Sequence, residues 1–289
     1  MPDLLRFGAR PLHLFIFRRQ HVTVRFASTG PGRDFVSGGH TYLGAQIERD
    51  AIKQTAERAK DRLKIRMAHL LDPAAPEYPV TQALGSWWRP YIPSDPIHVT
   101  CLATEHGATA PPRVEWSGWA IQPAYTDTEL ELTCDPNSPH GDAVNQGAKW
   151  QRACFKTVYS TGPRGCNLDP DDFEVLGAVD GEPAGLTVTV PEFAGTAFSL
   201  LGGTFYWVRA DGIREERPIM AHNNDTGAVT LLWGGADLAD GLAVSALPNC
   251  PGTWAACAAR RPDPELHYGG AIYKPVKDPI LDGVSMSWG

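Results

Sequence analysis

The 289-residue chain has no run of about 20 apolar residues, the length a membrane-spanning helix requires. Its longest uncharged stretch, Gly241–Ala259, is interrupted by Pro248, Asn249, Pro251 and Gly252, which such a helix tolerates poorly. Near the N-terminus, the short apolar run Leu12–Phe17 is followed by Arg18-Arg19 and lacks a small-residue cleavage site, the reverse of a secretory signal. No basic run is long enough to follow a phosphate backbone, and 33 acidic against 26 basic residues leave a net charge of −7. These absences predict a soluble protein made in a cytoplasm, with no nucleic-acid partner and no stable membrane insertion.

Catalytic signatures are equally scarce. The chain has no Gly-x-Ser-x-Gly elbow, no His-Glu-x-x-His motif and no phosphate-binding Gly-Lys-Ser/Thr loop. Its nine histidines are scattered, and none completes a usual zinc arrangement. Asp169, Asp171 and Asp172 cluster and Glu215-Glu216 are adjacent, but acid–base work needs one carboxylate desolvated in a pocket. Both groups read as turn and surface residues. No catalytic residue is assigned.

Glycine and proline, by contrast, are in excess. The 29 Gly and 25 Pro make up about 19% of the chain, against a usual share of about 12%. They are spread along its whole length, which suits many short strands joined by turns. His13–Phe17 and His21–Ser28 form a plausible antiparallel pair, and Leu63, Ile65 and Met67 alternate with Lys64 and Arg66. Glu48–Met67 also fits helical spacing tolerably, but strands at both of its ends are preferred. Leu71–Pro96, with six prolines, reads as a loop or irregular strand. Ile97–Thr104, Val114–Ile121 and Leu130–Cys134 follow as strands, giving a β-barrel or sandwich.

Asp135–Lys149 is polar and turn-rich and reads as a linker, so a β-rich domain is expected over 1–140 and a second over 150–289. In the second, Leu186–Val190, Thr204–Val208, Ile219–His222 and Ala228–Trp233 read as strands. Asp211-Gly212 supplies a tight hairpin turn, and the last 40 residues read as loops. The fold class is therefore mostly β.

Six cysteines, Cys101, Cys134, Cys154, Cys166, Cys250 and Cys257, are the most informative feature. In a long chain with no export signal, reduced thiols or metal ligands are expected rather than disulfides. Cys101 and Cys134 lie in predicted strands and read as core residues. Cys154 and Cys166 are eleven residues apart and Cys250 and Cys257 six, each pair in a Gly/Pro-rich loop. Such loops can bend a backbone around structural zinc or a cubane iron–sulfur centre, both of which need four converging thiolates. The spacing matches neither the compact ferredoxin run nor a Cys-x-x-Cys ribbon, so it leaves open whether these four bind metal or simply pack in the core.

Flanking residues add a resemblance. Trp150-Gln151-Arg152-Ala153-Cys154, then Tyr159, Gly165-Cys166 and Leu168-Asp169-Pro170-Asp171-Asp172-Phe173, resemble the first cysteine segment of the tail-tip hub (baseplate) proteins of siphophages and gene transfer agents. So does Cys250–Cys257 with Arg260-Arg261, His267-Tyr268-Gly269-Gly270 and Tyr273-Lys274-Pro275. Thr41-Tyr42 and the run Ile47–Thr55 resemble the N-terminal half of those hubs, which are similar in layout to the minor tail protein L of lambda.

The resemblance implies a ring-forming, homotrimeric β-hub followed by a strand- and loop-rich iron–sulfur domain. A [4Fe–4S] cluster would be held there by Cys154, Cys166, Cys250 and Cys257. It implies a virion structural protein at the distal tail tip, assembled in a host bacterial cytoplasm and not an enzyme. Its partners would be the distal tail protein, the central hub or fibre protein and the tape measure protein. Two positions depart from the family pattern: Asn249 stands where a Gly usually precedes the third cysteine, and His267–Tyr273 replaces an Asn-Phe-x-Gly-Phe-Pro run. The rival expectations are a zinc-stapled tail binding module and a tail-associated cysteine hydrolase, the latter requiring a His close to one of the cysteines.

Overall fold

A computed structural model describes residues 11–53, 55, 61–105, 110–137 and 151–274. The protein is mostly β, with a nine-stranded and a six-stranded sheet. It divides into two compact units: residues 1–141 with 209–215, and residues 142–208 with 216–289. Most of the expected linker and part of the Glu48–Met67 segment lie outside the described residues.

The first unit begins with β1 (Leu12–Arg19) and β2 (Val22–Ala27), paired antiparallel with Phe15 opposite Phe26. Then come β3 (Phe35–Ser37), β4 (His40–Gly44), β5 (Ile47–Arg49), β6 (Leu63–Ala68), β7 (Ile97–Thr104), β8 (Arg113–Tyr125) and β9 (Glu129–Pro136). Their order in the sheet is β3-β4-β2-β1-β7-β8-β9-β6-β5. The short run between β4 and β5 closes this sheet: the Ala45 N–H donates to the Ala27 carbonyl (2.9 Å), and the Ala68 N–H to the Gln46 carbonyl (3.1 Å). Closure leaves a barrel whose inward period-two positions, such as Phe15, Phe17, Ile65, Val99 and Leu132, form one core.

That core is plugged by a segment expected to be a loop or irregular strand. Helix α1 (Gln82–Gly85) and a 3-10 turn over Ser86–Trp88 bury Leu84, Trp87 and Trp88 among the barrel side chains. The prolines around it mark its ends; the burial of two large indoles makes its interior ordered. The Tyr125 hydroxyl ties it down through the Gly85 carbonyl (2.7 Å). Glu215, expected at the surface, is 3% exposed in the first unit and paired with Arg19 at 2.5 Å. A buried carboxylate survives there because an equally buried guanidinium neutralises it and the Ser94 hydroxyl and N–H donate to its second oxygen.

The second unit holds β10 (Val175–Ala178), β11 (Thr187–Thr189), β12 (Thr204–Val208), β13 (Arg214–Asn223, whose first two residues count with the first unit), β14 (Ala228–Leu231) and β15 (Ala243–Leu247). They form one sheet in the order β10-β15-β12-β13-β14-β11, and Gly212, at the tip of the β12–β13 hairpin, has φ +80°. Its core gathers Val188, Val190, Phe193, Phe205, Trp207 and Ala246, among others. The last 40 residues are not all loop: α2 (Trp254–Arg260) and α3 (Pro264–His267) lie there. Among the described residues, no helix is long and apolar enough to cross a membrane.

Candidate metal centre

Cys154, Cys166, Cys250 and Cys257 line one cavity of about 150 Å³ in the second unit. All four are free and partly exposed, whereas Cys101 and Cys134 are fully buried in the barrel.

Each thiol is set by local hydrogen bonding rather than by apolar packing. Cys166 follows a tight loop in which Asn167, at φ 55°, accepts from the Gly162 N–H through its side chain (2.8 Å) and donates from its backbone to the Ser160 carbonyl (2.7 Å). The Ser160 hydroxyl accepts from the Cys166 N–H at 3.0 Å. Gly165 is required in this loop, because a Cβ there would lie 2.4 Å from the Ser160 carbonyl oxygen.

Cys257 sits one turn into α2, whose first turn is capped by Thr253: its Oγ1 accepts from the Ala256 N–H at 3.2 Å. Before Cys250, the Asn249 side chain accepts the Cys250 N–H (2.8 Å), a bond that a glycine at this position would not supply. Cys154 donates its N–H to the Gly252 carbonyl (2.8 Å), and its sulfur accepts the Gly269 N–H (3.2 Å). The Tyr159 hydroxyl donates to the Pro248 carbonyl at 2.8 Å, tying the first cysteine segment to the second.

The electrostatics record the convergence. The Cys257 thiol is pushed up from its ordinary value, first by burial and then by the negative charges that Cys154, Cys166 and Cys250 would carry; Arg261 opposes them. Tyr268 is raised first by burial and then by Cys154, Cys257 and Cys250, with Arg152 opposing them. Four thiolates crowded around one cavity repel each other, so the arrangement favours either neutral thiols or a bound cation. Positive groups also border the cavity: Lys156, Arg260 and Arg261. The Nε atoms of Arg260 and Arg261 are buried without a hydrogen-bond partner.

Among the described residues, no group of three or more His, Cys, Asp or Glu is close enough to hold a metal ion. Tetrahedral zinc draws its sulfurs to about 2.3 Å from one centre and hence to about 3.8 Å from one another. The four thiols line one cavity without that arrangement. The donor set, four thiols around one cavity, has the chemistry that structural zinc and iron–sulfur centres alike require.

His267 lines the same cavity. Its Nε2 lies 3.5 Å from the Asp263 carboxylate, and among the described residues no hydrogen bond joins it to a cysteine sulfur. The Asp169 group is exposed, with Asp169 capping a short 3-10 turn by accepting the Asp171 N–H (3.1 Å).

No protein-family profile matches the chain. A protein of Xylella fastidiosa (strain 9a5c), described only as uncharacterized, is 51% identical over 212 residues, covering 71% of this chain and 44% of that protein. The chain therefore spans less than half the length of that relative. Among solved structures, a chain from the virion of a native gene transfer agent particle matches with a TM-score of 0.69. That match covers 96% of this chain and 92% of the other at 14% identity, a likeness of fold.

Proposed function

We propose that the protein is a structural component of the distal tail tip, the upper hub, of a long-tailed phage or phage-like particle, with a [4Fe–4S] cluster stapling its C-terminal region. The observation that carries the particle role is the fold correspondence with a virion chain along nearly the whole of both molecules. A likeness confined to one sheet would fit many functions; one that spans both units favours a shared architecture. In this reading the barrel is the ring-forming part, assembled as a homotrimer between the distal tail protein, the central hub or fibre protein and the tape measure protein.

The four-thiol cavity supports the cluster. Cys154, Cys166, Cys250 and Cys257 would each ligate one iron, and the cationic rim would balance the charge of the thiolates. When bound, the cluster supplies a cross-link among chain segments that are far apart in sequence. Joining residues 154 and 257 closes a loop of about 100 residues, and in the loop-entropy model such a closure chiefly restricts the unfolded chain.

The test is anaerobic purification followed by metal and sulfide analysis. A brown protein with iron and acid-labile sulfide in equal amounts is expected; a colourless protein that retains stoichiometric zinc overturns the cluster in favour of a zinc-stapled module. A cysteine hydrolase would need His267 to turn from Asp263 toward a thiol, and covalent labelling of one cysteine by a substrate-like electrophile, blocked in His267→Ala, would reveal it. Particles decorated at the tail tip by gold-labelled antibody would support the location, and labelling elsewhere would overturn it.

A further inference from the structure

The run Tyr268–Ala271 lies directly against residues 151–154. The Tyr268 hydroxyl is 2.5 Å from the Arg152 carbonyl oxygen and 3.2 Å from that of Gly252, and can donate to either. The Ala271 N–H donates to the Gln151 carbonyl at 2.8 Å, and the Gly269 N–H donates to Cys154 Sγ at 3.2 Å. Two glycines permit this approach. A Cβ at position 270 would lie 2.3 Å from the Arg152 carbonyl oxygen, a backbone atom that cannot move aside. At position 269 the nearest atoms would be Lys156 Cγ (2.9 Å) and Cys154 Sγ itself (3.2 Å). Neither glycine has a left-handed φ, so space rather than backbone conformation selects them.

We propose that Tyr268–Ala271 is a positioning strap for Cys154, in which Gly270 allows the close docking and the Gly269 N–H aims and polarises the sulfur. Among the described residues, Cys154 Sγ is the one of the four cavity sulfurs with a backbone donor placed on it by another segment. A donor to sulfur stabilises added negative charge, so this bond would favour the reduced form of a bound cluster. That consequence rests on the cluster reading; the positioning role does not. Partners of this kind, outside the ligand set, commonly alter metal affinity 10- to 100-fold when removed.

The experiment compares full-length wild type with Gly270→Ala, Tyr268→Phe, and the pair Gly269→Ala and Gly269→Pro. Both changes at 269 add a Cβ, but only proline removes the N–H, and Tyr268 already has the extended conformation (φ −65°, ψ 126°) that precedes proline. Gly270→Ala is expected to release iron to a chelator about 10-fold faster or more. In metal-free protein, the same variant should alkylate faster with iodoacetamide at Cys154 while Cys250 keeps its rate.

Gly269→Pro should have a lower cluster midpoint potential than Gly269→Ala. Tyr268→Phe, which removes only the hydroxyl contacts, should show a smaller rise at Cys154 and keeps the test open if Gly270→Ala does not fold. Unchanged Cys154 alkylation in both Gly270→Ala and Tyr268→Phe overturns the strap, and equal potentials in the Gly269 pair overturn the role of its N–H. Wild-type protein without iron and sulfide overturns the cluster reading alone, and the alkylation comparison then still decides the strap.

Discussion

The barrel and the cysteine-bearing region of the second unit contain the same kinds of residue but are held together differently. In the barrel, Cys101 and Cys134 are fully exchanged from water into a continuous apolar core closed by hydrogen-bonded strands. Around the four-thiol cavity, α2 has no buried residue and α3 buries only Pro264. Between residues 151 and 169, only Gly165 and Leu168 are buried. Hydrogen bonds to backbone atoms do the local shaping there, and each is worth only about 1 kcal/mol net in water. A region with so little apolar burial is where a covalent staple contributes most. The two sets of cysteines thus sit in different surroundings, one packed in a core and the other lining a cavity.

The largest effect that would break this contrast is loss of one of the four proposed cluster ligands. Cys257→Ser is expected to bleach the centre and to open residues 151–170 and 249–274 to protease, while both sheets stay folded. The loop-entropy model puts the lost stabilisation on the order of 4–5 kcal/mol. Limited proteolysis with mass mapping reads the outcome directly; an unchanged cleavage pattern and spectrum would remove Cys257 from the ligand set. Next in size is the barrel plug. Trp88→Ala should cost about 3–5 kcal/mol by urea unfolding, because it empties a core position, and leave iron content unchanged. A parallel loss of iron would mean the two regions are not held independently.

A smaller effect is expected at Asn249. Replacing it with Ala removes the side-chain acceptor of the Cys250 N–H and should destabilise the four-thiol region by about 1 kcal/mol, seen, with the proposed cluster bound, as modestly faster iron release. Wild-type release would assign that bond no structural weight.

Much of the strand content was legible in the sequence because strands betray themselves by period-two burial. The expected runs Ile97–Thr104 and Thr204–Val208 coincide with β7 and β12. What escaped was structure fixed by distant partners. The Trp87-Trp88 plug is hidden among prolines, and only the barrel interior gives it a place. Helix α2 has no polar face to set a helical period and reveal it; a Thr cap and an alanine-rich turn make it. Glu215 looks like a surface charge until Arg19, 196 residues away, is found beside it. The grouping of the cysteines into four and two was visible from the loops around them. The cavity that joins the four, and the Gly269 N–H on Cys154, depend on chain crossings that spacing does not encode.

The finest test concerns the barrel thiols. Burial pushes Cys101 up to about 12 and Cys134 in the same direction, so both are neutral in the folded state well above the ordinary thiol range. In the unfolded chain they ionise near pH 8.5. The unfolded state therefore binds fewer protons as pH rises past that value, and stability declines with it. The contribution of each thiol is fully present below about pH 8.5 and fades above it, by less than about 1 kcal/mol at pH 9. Tyr125, also raised to about 12 by burial, adds to the decline at higher pH, so the difference between variants is what matters. Cys101→Ala with Cys134→Ala should lower stability at neutral pH through lost packing yet flatten the fall between pH 8 and 10. An identical slope in wild type and the double variant would show that these thiols reach water in the folded barrel, and would erase the contrast with the cavity set.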